Sequence, residues 1–210
     1  PYITGNQEFY NINFIVTPKV LIPRPETELL VEHAIQFVKS KGRQLSALDI
    51  GTGSGCIPVA VAFNCQNVEF TALDLDFHAL KIAQKNIRQV SLQRRISLVQ
   101  SNLTSGIFGK FDLILSNPPY IPEEKLLGLD VAQYEPWLAL NGGEDGVFFI
   151  SEILEDAPRL LTPHGEMLLE IESTLGEQVL EIARNHFPNS HIELLKDYTG
   201  LSRLLKIYKE

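Results

Sequence analysis

The feature that most constrains the fold of this chain is a regular alternation of short apolar runs with amphipathic helical patterns along residues 45–186. The apolar runs predict strands at 45–50, 68–73, 96–100, 111–116 and 166–171. The helical spacing of apolar side chains predicts helices at 55–64, 76–90, 144–161 and 175–186. Strands and helices that alternate in this way form βαβ units. The chain is therefore predicted to be an α/β protein whose mostly parallel sheet carries helices on both faces.

The N-terminal part of the chain has a different pattern. Residues 7–16 are predicted to form a β-hairpin bent at Asn11 and Asn13. A stiff connector follows at 18–25, and a helix of about four turns is predicted to begin at Pro25, since proline suits the first turn of a helix.

The C-terminal part and the domain division follow from the same analysis. Two closely spaced strands, near 191–195 and 203–208, predict an antiparallel edge to the sheet. We expect a hairpin and connector at 1–24 and a main domain at 25–210, with an irregular substrate-binding insertion at about 121–143.

The composition narrows the functional class. With 44% hydrophobic and 21% charged residues the chain is ordinary for a globular protein, and no stretch approaches the roughly 20 apolar residues that span a bilayer. Cys56 and Cys65 have no further Cys or His at metal spacing, so neither a disulfide framework nor a metal site is predicted, and the cytoplasm is the expected compartment. A net charge of −8 lacks the basic surplus that nucleic-acid binding uses. We interpret Arg88, Arg94 and Arg95, which lie close together, as a solvated helix end.

A glycine-rich segment, called here the glycine loop, joins the first strand of the series to its helix. Its glycines allow a tight turn and a close approach of a ligand to backbone N–H groups at a positive helix end. The loop consists of Gly51, Thr52, Gly53, Ser54 and Gly55.

The spacing of the glycine loop indicates which ligand it binds. Dinucleotide sites use G-x-G-x-x-G, whereas here Cys56 stands at the position of the last glycine and the pattern is G-x-G-x-G. The shorter form suits a nucleoside ligand without pyrophosphate, such as S-adenosylmethionine. Asp74 ends the next strand, where a carboxylate can hold both hydroxyls of a ribose. Asp49 lies either near the charged amino acid end of this cofactor or at a helix cap.

A second motif, Asn117-Pro118-Pro119-Tyr120, directly follows the strand 111–116. At this edge of the sheet the side-chain oxygen of Asn117 and the carbonyl of Pro118 could each accept one N–H of a planar NH2 group, while Tyr120 stacks on its face. The prolines hold these acceptors rigid, and no titrating base is required. The motif predicts methyl transfer to an amide or amino nitrogen, with Asn117, Pro118 and Tyr120 as the catalytic residues.

These motifs together resemble the release-factor glutamine N5-methyltransferases, within the Rossmann-like S-adenosylmethionine-dependent methyltransferases. The resemblance extends along essentially all 210 residues. Asn-Pro-Pro-Tyr alone is shared with adenine-N6 DNA methyltransferases, and the segment 20–28 is the discriminating one. The matching segments are 2–5 with Glu8-Phe9, 20–28, 49–56, 116–121, Glu135-Pro136 with Ala139-Leu140, 143–146, and Asp197, Gly200 and Arg203.

The resemblance implies a substrate and a set of site residues. The acceptor would be the glutamine of the Gly-Gly-Gln tripeptide in peptide chain release factors, and the product of the cofactor would be S-adenosylhomocysteine. The enzyme is expected to be a monomer without a membrane or stable nucleic-acid partner. The implied cofactor-binding residues are Gly51, Thr52, Gly53, Ser54, Gly55, Asp74, Asn102, Leu103 and Asn117, and the implied substrate-binding residues are Asn117, Pro118, Pro119, Tyr120, Arg24 and Glu26.

The chain departs from the family pattern at two places. Members usually carry Gly-Asp and a bulky residue where this chain has Ser101-Asn102-Leu103. The family's adenine contacts therefore do not carry over directly, although Asn102 can still accept or donate a hydrogen bond. Members also carry a small helical N-terminal domain, and residues 1–24 are expected to be the remnant of the linker to it.

Three other functions compete with this interpretation. An adenine-N6 DNA or RNA methyltransferase would need a basic recognition surface, whereas residues 121–146 hold six acids and a single base, Lys125. A nicotinamide oxidoreductase is disfavoured by the glycine spacing. A non-catalytic binding module is disfavoured because all four residues of the Asn-Pro-Pro-Tyr motif are present.

Overall fold

The computed structural model describes residues 1–210 and contains a central seven-stranded sheet with helices on both faces. The strands are β1 (Asn6–Phe9), β2 (Ile12–Ile15), β3 (Leu45–Ile50), β4 (Val68–Asp74), β5 (Ile96–Gln100), β6 (Phe111–Ser116), β7 (Leu161–Glu170), β8 (Ser190–Lys196) and β9 (Ser202–Lys209). The helices are α1 (Glu28–Lys41), α2 (Cys56–Asn64), α3 (Phe77–Gln89), α4 (Glu123–Leu126), α5 (Phe148–Leu160) and α6 (Gly176–His186).

The strand order of the large sheet is β5-β4-β3-β6-β7-β9-β8. The first five of these strands are parallel, and β9 pairs antiparallel with both β7 and β8. The chain moves outward from β3 in one direction through β4 and β5, and then in the other direction through β6 and β7. The carboxyl ends of β3 and β6 therefore flank the point where ligands bind in open α/β sheets. The predicted fold class, including the antiparallel end and the separate hairpin, is confirmed.

Element boundaries differ from the predicted ones where glycine or a turn intervenes. Helix α5 begins at Phe148 rather than near residue 144, because Gly143 and Gly146 take positive φ values of 88° and 84° that interrupt a helix. The hairpin bends at Tyr10 and Asn11, with φ of 49° and 58°, as two-residue hairpin turns require.

Other differences concern pairing and the insertion. Asn13 lies inside β2, opposite Glu8, and not at the bend. β7 begins at Leu161, five residues before its predicted start, through an irregular register opposite Phe111. The insertion was predicted to be irregular, but it contains α4 and two short 3₁₀ turns.

The core lies on both faces of the sheet. β6 is buried along its whole length, and α2 is buried over Cys56, Ile57 and the residues up to Ala62, which explains its almost uniformly apolar sequence. The hairpin belongs to the same core, because Phe9 and Phe14 pack within the larger of the two main apolar clusters.

A buried amide ties the hairpin to the glycine loop. The Asn86 side chain on α3 accepts from the Ile15 N–H at 2.8 Å and donates to the Ile15 carbonyl at 3.0 Å and to the Ser54 carbonyl at 2.8 Å. Because a buried amide must find partners, these bonds fix the hairpin and the loop relative to one another.

Of the three neighbouring arginines, Arg88 and Arg94 are exposed, as interpreted from the sequence, whereas Arg95 is partly buried and has a structural role. Arg95 donates to the carbonyls of Ala62 and Cys65 at the C-terminal end of α2, where a cation is favourable.

No helix in the structure combines the length and the apolar character that crossing a membrane requires.

Candidate active site

A crevice opens at the carboxyl ends of β3, β4 and β6. Seven of the predicted site residues line it: Gly51, Gly53, Asp74, Asn102, Leu103, Asn117 and Pro119. The glycine loop after β3 and the Asn-Pro-Pro-Tyr turn after β6 thus face the same space, since Ile50 and Ser116 are direct neighbours in the sheet. The other predicted residues lie outside its lining: Thr52, Ser54, Gly55, Pro118, Tyr120, Arg24 and Glu26.

The glycine loop needs its glycines for backbone reasons. Gly51, Gly53 and Gly55 have φ of 76°, 56° and 79°, a region that side chains disfavour. At Gly55 a Cβ would also lie 3.1 Å from Ala83 Cβ, so the glycine lets α2 approach α3. The loop is held in this form because the Thr52 N–H donates to the Leu73 carbonyl at 2.7 Å.

Asp74 organises the rim of the crevice. Its Oδ2 accepts from the Gly53 N–H at 2.8 Å, and its Oδ1 accepts from the Asp76 N–H at 2.9 Å. Burial raises the pKa of this carboxyl, and the two backbone N–H groups act in the opposite direction. Asp74 lines the crevice, and each of its oxygens can accept a further hydrogen bond, which is what two ribose hydroxyls would use.

Asp49 is the most unusual group beneath the glycine loop. It is fully buried, and neither carboxylate oxygen nor the Thr52 hydroxyl oxygen has a hydrogen-bond partner. Burial raises the pKa of Asp49 to about 7, Thr52 opposes the rise, and the Asp74 charge adds to it. An orphaned acid here fits a ligand that carries a cationic group, such as the amino acid end of S-adenosylmethionine.

The raised pKa of Asp49 leads to a prediction for Asp49→Asn. The folded state holds a proton that the unfolded chain has released between pH 4 and 7, so unfolding free energy falls as pH rises through this window. Between pH 5 and pH 8 the stability of the variant relative to wild type should rise by about 2–3 kcal/mol. Urea unfolding at the two pH values measures this difference. An equal difference at both pH values would show that Asp49 titrates normally.

Asn117 is held by a residue at the end of the segment 20–28. Its Nδ2 donates to Thr27 Oγ1 at 3.1 Å. Thr27 ends a 3₁₀ turn that Pro25 begins, immediately before α1. The sequence segment that most resembles one enzyme family therefore supplies a direct partner of the catalytic candidate.

Tyr120 lies behind the crevice rather than in its lining. Its ring packs against the core cluster of β3, β6 and β7. Burial raises the pKa of its hydroxyl, and the nearby charge of Glu170 adds to the rise. Its stacking on a substrate stays a prediction.

Two glycines near the end of the insertion, Gly142 and Gly146, lie close against the backbone of Tyr120. A Cβ on Gly142 would lie 2.7 Å from Tyr120 Cα, and a Cβ on Gly146 would lie 2.5 Å from the Tyr120 carbonyl oxygen. The Ile121 carbonyl accepts from the Gly142 N–H at 2.8 Å. These close approaches fix the path of the chain after the Asn-Pro-Pro-Tyr turn.

We expect Gly142→Ala to distort this turn, because the added methyl group would overlap backbone atoms that cannot move freely. Overpacking of this kind lowers stability by about 1–3 kcal/mol, and methyl transfer should fall with it. Gly128→Ala in the same insertion is the matched control, since its Cβ would meet only the Lys125 carbonyl oxygen at 3.7 Å. Thermal melts and initial rates measure both effects. Equal melting temperatures for the two variants would contradict the prediction.

Arg24 joins the connector to the insertion. Its Nη2 lies 2.5 Å from Glu135 Oε2, and the Glu135 side chain is only 3% exposed. Burial raises the pKa of Glu135, whereas Arg24 lowers it. Tyr2 donates to the Val20 carbonyl at 2.7 Å on the same side. Glu26 is exposed, and its negative charge contributes to the raised pKa of the Tyr120 hydroxyl.

An apolar wall of the crevice was not predicted. The connector contributes Val20 and Leu21, while the insertion contributes Pro136, Leu138 and Ala139. These residues belong to no periodic pattern, so only the two sequence segments that resemble the family pointed to them. The connector and the insertion therefore both border the crevice.

The fold and the crevice define a class of protein. A family model described as "Methyltransferase small domain" matches residues 25–133. The N-terminal domain of human METTL16 in complex with SAH has the same fold, with a TM-score of 0.68 at 17% identity over 96% of this chain and 77% of that one. The protein is a methyltransferase.

More similar proteins define the family. A release factor glutamine methyltransferase of Streptococcus pneumoniae is 41% identical over 98% of this chain and 73% of its own length. The structure of a release factor-specific protein-(glutamine-N5) methyltransferase from Alicyclobacillus acidocaldarius matches with a TM-score of 0.58 at 28% identity, over 94% of this chain and 99% of that one. This chain belongs to the release factor glutamine methyltransferase family, whose members depend on S-adenosylmethionine.

Proposed function

We propose that this enzyme transfers a methyl group from S-adenosylmethionine to the side-chain amide nitrogen of the glutamine in the Gly-Gly-Gln motif of peptide chain release factors. The observation that carries the proposal is the shared crevice. Asn117 and Pro119 of the Asn-Pro-Pro-Tyr turn line it together with Gly51 and Gly53 of the glycine loop. A planar amide and a nucleoside cofactor would meet there.

The residues present fit the cofactor. The glycine loop and Asp74 would hold the ribose and the amino acid part, Asn102 and Leu103 would border the adenine, and Asp49 would face the cationic end. When bound, this cofactor supplies an electrophilic methyl group on a sulfonium. Asn117 borders both ligands in this assignment, which makes it the central residue of the site.

The chain's own groups address the weakness of an amide nitrogen as a nucleophile. The Asn117 Oδ1 and the Pro118 carbonyl would accept the two N–H bonds and aim the nitrogen along one direction. The nitrogen becomes positive as it gains its new bond, and it then releases one proton to water. Acceptors fixed at its N–H groups stabilise that charge more than they stabilise the neutral amide. Pro118 and Pro119 keep these acceptors in place.

The charge of the insertion supports a protein substrate. Its rim carries Glu123, Glu124, Asp130, Glu144 and Asp145, which would repel phosphates and attract a basic protein loop. We therefore propose that the insertion receives the release factor, that no nucleic acid is a stable partner, and that the enzyme acts as a monomer in the cytoplasm. Sedimentation analysis tests the monomer.

Methylation of a purified release factor tests the proposal. The wild-type enzyme is incubated with S-adenosylmethionine and the factor, and the modified residue is located by peptide mass spectrometry. We expect one methyl group on the glutamine of Gly-Gly-Gln and none on a factor in which alanine replaces that glutamine. Methylation of adenine in duplex DNA or RNA instead would establish the nucleic-acid alternative and end the proposal.

A further inference from the structure

A buried polar cluster lies directly behind Asn117. Thr27, at the start of α1, is 2% exposed, and Glu170, the last residue of β7, is 1% exposed. Asn117 Nδ2 donates to Thr27 Oγ1 at 3.1 Å. Burial raises the pKa of Glu170 to about 7, whereas the neighbouring Thr27 and Asn117 side chains lower it. The buried Glu170 Oε2 has no hydrogen-bond partner. A buried carboxyl group therefore lies near the hydroxyl that accepts from the Asn117 amide.

A primary amide can sit in two orientations that differ by exchange of its oxygen and its NH2 group. Only one of them presents Asn117 Oδ1 to the crevice as an acceptor. A hydroxyl alone does not choose between them, because it can either donate or accept. An ionised carboxylate does choose, because it only accepts, and Glu170 is ionised above its pKa of about 7. Thr27 Oγ1 already accepts from the Asn117 NH2 group, so its own hydrogen is available to Glu170, whose Oε2 has no other partner.

We propose that Glu170 and Thr27 are positioning residues that hold the Asn117 amide with its NH2 group inward and its oxygen toward the crevice. This inference rests on the proposed function, in which that oxygen receives the substrate N–H. The buried acid acts only through the amide. The arrangement resembles the way outer partners fix the orientation of ligating side chains in metal sites.

The C-terminal residues that resemble the family acquire a role in the same cluster. Arg203 on β9 lowers the pKa of Glu170 through its charge. Its Nε lies 3.3 Å from Asp197 Oδ2, and Asp197 also accepts from the Leu201 N–H at 3.1 Å. The ion pair with Asp197 therefore holds the Arg203 side chain in place. This keeps a cation near Glu170, a buried acid without another charged partner.

Three variants test the inference in the full-length protein. Thr27→Val removes the hydroxyl at nearly constant volume, Thr27→Ser keeps it, and Glu170→Gln replaces the obligate acceptor by a group that can donate. Thr27→Val and Glu170→Gln should lower kcat for the release factor about 10- to 100-fold. The KM of both should stay within about threefold. Thr27→Ser should restore most of the wild-type rate. Thr71→Val and Glu166→Gln, on β4 and β7 away from Asn117, are the matched controls.

A second readout does not involve turnover. The side-chain NH2 resonance of Asn117, assigned by its loss in Asn117→Asp, should exchange slowly with water in the wild type because its hydrogens are bonded inside. Exchange should become at least about tenfold faster in Thr27→Val. Unchanged exchange and unchanged kcat in Thr27→Val would overturn the inference, and so would a Thr27→Ser variant as slow as Thr27→Val. If the wild type methylates no release factor, the proposed function fails, while the exchange measurement still decides how Asn117 is oriented.

Discussion

Asn117→Ala is expected to lower kcat for the release factor by about 10²–10³-fold while the protein stays folded. The variant loses the oxygen that would accept a substrate N–H, and an acceptor aimed at developing charge acts mainly in the transition state. The fold should survive because the Asn117 side chain is only partly buried and makes a single hydrogen bond, to Thr27. Initial rates with labelled cofactor, together with a thermal melt, measure both effects.

The control for this substitution is Asn185→Ala, at an exposed position on α6. It should keep the wild-type rate. An Asn117→Ala variant within about fivefold of the wild-type rate would refute the placement role of this amide, since a single lost transition-state contact has a larger effect.

Asp74→Ala is expected to weaken the binding of S-adenosylhomocysteine about 10- to 100-fold. Hydrogen bonds to a charged acceptor contribute about 1.5–3 kcal/mol each, and a tenfold change in affinity corresponds to about 1.4 kcal/mol. The substitution also frees the Gly53 N–H, which Asp74 Oδ2 binds at 2.8 Å, so the glycine loop loses a support. Titration calorimetry measures the dissociation constant.

Two comparisons make the Asp74 result specific. Asp74→Asn keeps one acceptor oxygen and should recover part of the affinity. Glu69→Ala lies on the same strand at an exposed position, and it should bind like the wild type. An unchanged affinity in Asp74→Ala would mean that the ribose lies elsewhere in the crevice.

Sequence patterns predicted the parts of the site whose geometry is local. The glycine loop and the Asn-Pro-Pro-Tyr turn each follow a buried strand directly. Their position at one edge of the sheet follows from the parallel order of β3 and β6. The strand and helix series was predictable for the same reason, since periodicity within a short window carries it.

The parts that could not be predicted depend on contacts between distant residues. Thr27 meets Asn117 across 90 positions of the chain, and Arg24 meets Glu135 across 111. No spacing rule connects such pairs. The late start of α5 likewise depends on the fit of Gly146 against the Tyr120 carbonyl, which only the folded insertion creates. The candidate site motifs could therefore be predicted from the sequence, and the groups that contact them from distant parts of the chain could not.

The hydrogen bonds of Asn86 bear on how this protein can be shortened. Cutting the chain after residue 24 would strip Phe9 and Phe14 from the main apolar cluster and leave Asn86 without both of its partners on Ile15. Each buried polar group stranded in this way costs about 1–3 kcal/mol. Asn86 would keep its hydrogen bond to Ser54 in the glycine loop, but Asn86 itself would no longer be held in place by the hairpin. The hairpin thus supports the glycine loop through Asn86. We expect an enzyme shortened in this way to bind its ligands more weakly, although the cut removes no residue of the glycine loop.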